Sequence, residues 1–591
     1  MPSGKHLFPS PDPATGGLVL PALHALAAQT PSLTVIPHEK VIYDTAHNPA
    51  HVALLSGGGA GHEPAHAGYV GEGMLTVAVS GEVFASPRTN QVLAGIKAVA
   101  PISSGVLVIV KNYTGDTLNF GLAAQKYLGG AANPVPIRSI TIADDAAVPR
   151  SRIARVGRRG LAGTVLVHKI AGGLASQGAG LDAVHKIAQR VNNSLVTAGV
   201  SLDRCHVPGR PHSDTDSLPK EEAELGMGIH NEPGVKRLSP IPAAEDLASD
   251  ILKMLLDPND PERAYVPFAA SDATVLMVNN LGGTSVLELS AFASTVIAAL
   301  DSQWGIKPVR VLVGTYMTSL DAPGVSVTLL NCGTGPGAQQ LLDLIDLPVR
   351  VPGWHSIPSQ APAQTIAAAE TLAPESSVTP SDIGLDPRKL ISALRAGAQA
   401  LLKAEPEITH FDTIAGDGDC GHTLCLGANS LLALSSSAES SGSGPTMRQI
   451  ADAVEGAMGG TSGVIYSIYL NAFATALSTP PSGDVSPEVW LRSAANAALD
   501  SLLTYTTARP GDRTLIDALL PFCHALRSGA TLDEALSKAR EGVESTRGMK
   551  AGVGRAVYVE EGKAEGEGVP DPGAWGVVVL LEGLAQGWRD V

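Results

Sequence analysis

The sequence is poor in the residues that crosslink a chain or anchor it. Its 591 residues include five cysteines, Cys205, Cys332, Cys420, Cys425 and Cys523, with no CxxC pair and no even framework. That excludes a disulfide scaffold and leads us to expect a reducing, intracellular compartment. No uninterrupted apolar run reaches the roughly 20 residues of a membrane span. The opening residues, MPSGKHLFPSPDPATGG, lack the apolar core of a signal peptide. A cytoplasmic protein with no membrane partner is expected. Basic residues are also short: 41 Lys and Arg stand against 57 Asp and Glu, a net charge of −16. Such a balance argues against nucleic acid as a partner. It leaves ATP open, because a metal ion and backbone amides supply positive potential locally. Aromatic residues are only 4%. No Walker ending, Gly-Lys-Ser/Thr, follows any glycine loop, so an ordinary P-loop is excluded.

What is present is length, glycine and a cluster of carboxylates. A chain this long predicts two to four domains. With 44% hydrophobic and 17% charged residues it is globular. The 64 glycines allow close backbone approach and ligand loops. The stretch FDTIAGDGDCGHT, residues 411–423, packs Asp412, Asp417 and Asp419 into eight positions among glycines. Three carboxylates held together repel one another, and Mg²⁺ is the hard cation that would neutralise them. An acidic, solvated turn capping the next helix would use the same residue types.

Along the chain, VALLSGGGAGHEPAH begins as a buried strand over 52–55 and reads as a tight loop over Gly57–Gly59, with His62, Glu63 and His66 clustered after it. VLVIV at 106–110 is a second buried strand, running into Lys111 and Asp116 on a loop before a helix. A strand over 139–143 precedes Asp144 and Asp145, and helices are predicted over 163–180 and 181–199. GMGIHNEPG holds His230 on a tight turn. A helix over 244–256, strands over 274–279, 309–313 and 324–330, and a helix over 286–301 continue the alternation of an α/β domain. Residues 355–385, rich in Pro, Ala, Ser and Thr, read as a linker. From 386 to 591 the period is helical, predicting an all-α domain of about eight helices. Its loops carry the unusual residues: MGGTSG at a helix start, a reasonable phosphate cradle, then RPGDRTLIDAL with Arg513, the segment 554–558 with Arg555, and VPDPGAWG.

Taken in order, these motifs resemble the single-chain ATP-dependent dihydroxyacetone kinases, the triokinase/glycerone kinase family. GGGAGHEPAH, VKNYTGD and GMGIHNEPG look like the substrate-binding (DhaK-type) domain, here 1–354, and AGDGDCGHT, MGGTSG, GDRTLIDAL and DPGA like the ATP-binding (DhaL-type) domain, here 386–591. The resemblance implies that His230 forms a hemiaminal with the ketone of dihydroxyacetone, that His62 assists, and that Asp116 is the general base. It places Gly59, Ala60, Gly61 and Lys111 in the substrate pocket. It assigns two Mg²⁺ ions to Asp412, Asp417 and Asp419. It puts Asp419, Cys420, Gly421, His422, Thr461, Ser462, Thr514, Leu515, Arg555, Asp571, Pro572 and Gly573 around ATP. It implies a homodimer in which the ATP domain caps the partner's substrate site, with D-glyceraldehyde a second substrate. FAD cyclisation to cyclic FMN, or a dihydroxyacetone-binding regulator, are the alternatives. Three departures stand out: Ala60 where Ser is usual, His422 where Thr is usual, and Thr461 where Ser is usual.

Overall fold

The structure is a computed structural model that describes residues 6–8, 11, 17–153, 157–209, 217–355, 386–441, 446–478, 485–552 and 568–591. Arg555, with the rest of 554–558, and nearly all of the expected linker lie outside the described residues. The chain divides into two compact units, Met1–Glu370 and Thr371–Val591.

The first unit is built on two six-stranded sheets. Its elements run α1 (Val19–Gln29), β1 (Leu33–Ile36), β2 (Val41–Asp44), β3 (Val52–Ala60), β4 (Val77–Val83), α2 (Thr89–Val99), β5 (Gly105–Lys111), α3 (Thr114–Gly130), β6 (Ile137–Ile142), α4 (Arg150–Ile153), α5 (Thr164–Ser176), α6 (Leu181–Asn193), β7 (Leu195–Ser201), β8 (Ala223–Leu225), β9 (Lys236–Leu238), α7 (Ala244–Leu256), β10 (Thr274–Asn280), α8 (Val286–Trp304), β11 (Arg310–Gly314), β12 (Gly324–Asn331) and α9 (Gly335–Asp346). The first sheet has the order β1-β2-β4-β3-β5-β6. Its β4, β3, β5 and β6 are parallel neighbours. Every residue of β3 and β5 is buried, as expected of strands covered on both faces. The second sheet has the order β11-β10-β12-β7-β8-β9 and is antiparallel except for the β10–β11 pair.

Several segments differ from expectation: Lys111 ends β5 and Asp116 sits in the first turn of α3, where a loop was expected for both, because the helix starts as soon as the strand ends. The glycines Gly57–Gly59 are strand, not loop: β3 continues through them to Ala60. A Cβ on Gly59 would lie 2.7 Å from the Ala85 amide nitrogen, so the small residues permit close passage of the chain after β4. The helix expected to reach 199 stops at Asn193, and 195–201 is the central strand β7. LVTAGVS is apolar at both helical and strand spacings, and burial on both faces of a sheet decides it.

The second unit is all-α. Its helices are α10 (Pro387–Ala415), α11 (Cys420–Ser441), α12 (Met447–Ala457), α13 (Gly460–Ser478), α14 (Pro487–Tyr505), α15 (Ile516–Arg527), α16 (Leu532–Ser545) and a final helix, Pro572–Arg589. Thr446 and Thr531 open α12 and α16 with reciprocal capping boxes through Gln449 and Glu534. Asp571 caps the final helix by accepting from the Ala574 amide, 2.7 Å away.

Candidate active site

In the first unit the chemistry-bearing side chains gather at the carboxyl ends of β3 and β5, where sheets of this kind bind ligands. β3 delivers His62 just beyond Ala60, and β5 ends in Lys111. The next helix, α3, carries Asp116 in its first turn, 4% exposed. His230 comes from a turn in the other sheet's connections, not from either strand. Asn231 pins that turn: with φ of 64° it places its side chain on both backbone groups of Cys205, at 3.0 and 3.1 Å. His62 is tied to the connection between β11 and β12, since the Thr318 amide donates to its carbonyl.

The two histidines meet ring to ring. His62 Nε2 lies 2.9 Å from His230 Nε2. His62 Nδ1 is 2.8 Å from the Thr318 carbonyl oxygen, which can only accept, so Nδ1 carries a proton. His230 Nδ1 is 2.8 Å from Glu232 Oε1 and donates to it by the same logic. With both Nδ1–H groups committed, two neutral rings meet lone pair to lone pair at Nε2, and a proton lies between them only when one ring is an imidazolium. Burial, then Lys111 and His230, lower the pKa of His62 well below the ordinary imidazole range. Burial alone would raise Glu232; the hydrogen bond and charge of His230, followed by Arg159, outweigh it and hold the carboxyl at about 2. Arg159 is fixed in turn by Asp145 Oδ2 at 2.6 Å and by the Gly226 carbonyl at 2.8 Å. Tyr113 and Phe84 meet the His230 ring at near-perpendicular angles, with centroids 4.7 and 5.3 Å away.

Lys111 and Asp116 are the buried charged pair of this cluster. Burial lowers Lys111 to about 8, against the raising effect of Asp116, Glu232, Asp144 and Glu63. Burial raises Asp116, partly offset by Lys111 and a hydrogen bond from Ser86. Asp116 Oδ1 is buried with no hydrogen-bond partner. The glycine facing this pair is Gly58: a Cβ there would lie 3.5 Å from both Asp116 Oδ2 and Lys111 Cε. Gly59 faces the Phe84–Ala85 backbone instead, Gly61 has φ of +100° against the Phe84 ring, and Ala60 is buried in the strand.

In the second unit, α10 carries Asp412 in its last turn, and Asp417 and Asp419 follow on the turn before α11. One oxygen from each lies within 4.8 Å of the others. Asp412 is buried and accepts from the Cys420 amide at 2.9 Å, whereas the other two are exposed. Hard oxygens converging on an open side suit Mg²⁺, which keeps waters and substrate oxygens in its shell. Around them lie most of the residues expected at a nucleotide. Gly421 passes close to Thr409, and His422 is exposed on the first turn of α11. Thr461 and Ser462 sit in the first turn of α13, behind Gly460 with φ of 67°, so amides at that helix start are available to an anion. Ser462 hydrogen-bonds the Cys420 thiol, which burial pushes up to about 12. Asp517 orders the loop before α15 by accepting from the Gly511 and Thr514 amides. That loop leaves Leu515 beside Gly573, whose Cβ would lie 3.6 Å from the leucine Cβ. Asp571, followed by Pro572, is pushed up to about 7 by burial, against its hydrogen bond from Ala574 and the charge of Arg513.

Two family models match the chain, a Dak1 domain over residues 24–353 and a DAK2 domain over 414–586. It is 46% identical to the dihydroxyacetone kinase of Pichia angusta, over 97% of this chain and 98% of that protein. The chain belongs to the dihydroxyacetone kinase family. Its similarity to the human triokinase/FMN cyclase is 37% identity over 96% of both chains. Among solved structures, it resembles the dihydroxyacetone kinase from C. freundii in complex with AMP-PNP and Mg²⁺, with a TM-score of 0.57, 29% identity, and coverage of 96% of this chain and 98% of that one.

For a dihydroxyacetone kinase family member, several residues here were not singled out from sequence. Glu232 lies two positions past His230 in the same motif, and that proximity was the available signal. Gly58 was hidden in a glycine run whose members face different ways. Arg159, Phe84 and His168 carry no local signal, because their neighbours come from distant segments.

Proposed function

We propose that this protein transfers the γ-phosphate of ATP to dihydroxyacetone, giving dihydroxyacetone phosphate, with D-glyceraldehyde as a second substrate. The observation that carries the reading is the His62–His230–Glu232 chain, in which Glu232 holds the His230 Nδ1–H and leaves Nε2 as a nucleophile beside the second imidazole. The lone pair of His230 Nε2 adds to the ketone carbon, and the carbonyl π pair moves onto oxygen. That oxygen takes a proton drawn from solvent and passed through His62 Nε2, giving a neutral hydroxyl and a hemiaminal. The positive charge stays on the alkylated His230 ring, facing the Glu232 carboxylate. An alcohol has no carbonyl to add to, so glycerol is rejected by reactivity. Asp116 then takes the proton of the reacting hydroxyl as its oxygen attacks the γ-phosphorus and the bond to the ADP oxygen breaks.

The carboxylates Asp412, Asp417 and Asp419 would hold two Mg²⁺ ions on the ATP phosphates; these supply charge neutralisation during transfer. Cys420, Gly421, His422, Thr461, Ser462, Thr514, Leu515, Arg555, Asp571, Pro572 and Gly573 form the ATP site in this reading. The substrate domain is 1–354, the linker 355–385 and the ATP domain 386–591, acting as a cytoplasmic homodimer. A second reading, FAD cyclisation through the same nucleotide site, is favoured by the similarity to the human triokinase/FMN cyclase.

Phosphorus NMR of the full chain with Mg²⁺, ATP and dihydroxyacetone tests the reading. One new phosphomonoester per ADP is expected; ATP loss without that resonance would overturn it. The pH profile is a further check. On the acid side kcat/KM falls as Asp116 takes up a proton, above the usual carboxylate range because burial raises it. On the alkaline side it falls near pH 8, as Lys111 loses the charge beside the reacting oxygens. Lys111→Arg keeps its charge, so the alkaline fall should move up by more than one pH unit. An unmoved fall assigns it to another group.

A further inference from the structure

Beside this cluster lies a second, wholly buried histidine pair that the phosphotransfer scheme does not use. His66 is 5% exposed and His168, from the middle of α5, is 0% exposed. His66 Nδ1 is 3.0 Å from His168 Nε2 and 3.3 Å from Ser56 Oγ, whose proton goes to the Ile109 carbonyl at 2.8 Å. The rings meet at 65° with centroids 5.2 Å apart. Burial, helped by Lys111, pushes both imidazoles towards the neutral form, His168 to about 3.

The other nitrogen of His66 points back to the substrate side. His66 Nε2 is buried with no hydrogen-bond partner. It lies 3.8 Å from where a Cβ on Gly58 would be, on the same face that Asp116 Oδ2 and Lys111 Cε approach at 3.5 Å. Leaving such an atom unpaired is costly. Whichever of the two rings donates in the Nδ1–Nε2 contact, His66 Nε2 is left with one unfilled bond, as acceptor in one tautomer and donor in the other. A hydroxyl satisfies either, being donor and acceptor at once. Around Gly58 there are thus two orphaned polar atoms, Asp116 Oδ1 and His66 Nε2. A ketone hydroxylated on both sides brings two hydroxyls.

We propose that His66 Nε2 binds the hydroxyl that is not transferred, making His66 a specificity-determining residue for ketones hydroxylated on both sides of the carbonyl. His168 is its positioning residue, fixing the ring for that contact. The proposal deepens the phosphotransfer reading and rests on it.

The test compares dihydroxyacetone with hydroxyacetone, which keeps the ketone and one hydroxyl, in ADP-release kinetics of the full chain. Wild type is expected to favour dihydroxyacetone by about 10- to 100-fold in kcat/KM, the loss expected when a buried polar group is left unpaired. His66→Leu should collapse that ratio to within about threefold of unity, through dihydroxyacetone alone, and His66→Gln, which presents an amide near Nε2, should recover part of it. His168→Leu should narrow the ratio through KM more than kcat. A wild-type ratio near unity, or a ratio that His66→Leu or His66→Gln leaves intact, overturns the proposal; the wild-type ratio decides even if the leucine variant does not fold. If wild type turns over neither ketone, the phosphotransfer reading fails by itself. Calorimetric binding of the two ketones to wild type and His66→Gln then reads the same discrimination.

Discussion

Replacing His230 with alanine is expected to lower dihydroxyacetone-dependent ADP formation by three or more orders of magnitude, the scale on which removing a nucleophile acts. The size follows from what the ring does. In the proposed reaction its Nε2 joins the ketone, and its Nδ1–H is the partner that holds Glu232 ionised. It also lies against the His62 nitrogen that would pass a proton to the carbonyl oxygen. Truncation removes all three together, so His62 and Glu232 are left without a reacting partner. The nucleotide site proposed here belongs to the other unit and does not include His230, so the thermal shift produced by Mg²⁺ and ATP should be preserved. A His230→Ala protein that keeps more than a tenth of its turnover would show that the ketone is held without a covalent bond.

The second large effect is expected at the carboxylate cluster. Asp419→Asn should reduce turnover by two or more orders of magnitude and abolish the thermal shift with Mg²⁺ and ATP, because a neutral amide is a poor ligand for a hard cation. Without ligand the variant should melt close to wild type. Relief of repulsion among three carboxylates within 4.8 Å favours it. Loss of a negative charge at the start of α11 opposes that gain by a comparable amount. Asp412 is a different case, because its Oδ2 also accepts from the Cys420 amide. Asp412→Ala should therefore lower the melting temperature even without ligand, while Asp412→Asn should not. Equal ligand-dependent shifts in wild type and Asp419→Asn would remove the metal from this cluster.

Much of this arrangement was legible in the chain because the deciding features are local. The carboxylates of 412–419, the glycine before α13 and the histidine turn at 230 each sit within a short motif. The period change near 386 announced the helical unit. Helix α7 begins and ends where its apolar spacing does, at Ala244 and Leu256. What escaped depends on burial from both sides or on distant partners. β3 runs through glycines that read as a loop, because glycine serves equally in a turn and in a strand that another backbone must approach. β7 was absorbed into α6, since a short apolar stretch fits either period until the sheets on both sides are known. His168, on α5, belongs to no motif. Only the fold brings it to His66, 102 residues away. The final helix, Pro572–Arg589, begins at the Asp-Pro that read as a loop; Asp571 is its cap.

The central claim is that this chain phosphorylates a short ketone through a covalent bond to the carbonyl. The most direct measurement is ADP release by the purified full chain with Mg²⁺ and ATP, comparing dihydroxyacetone with glycerol at equal concentration. ADP formed with dihydroxyacetone and not with glycerol is the predicted result. Equal ADP with both, or none with dihydroxyacetone, would contradict it.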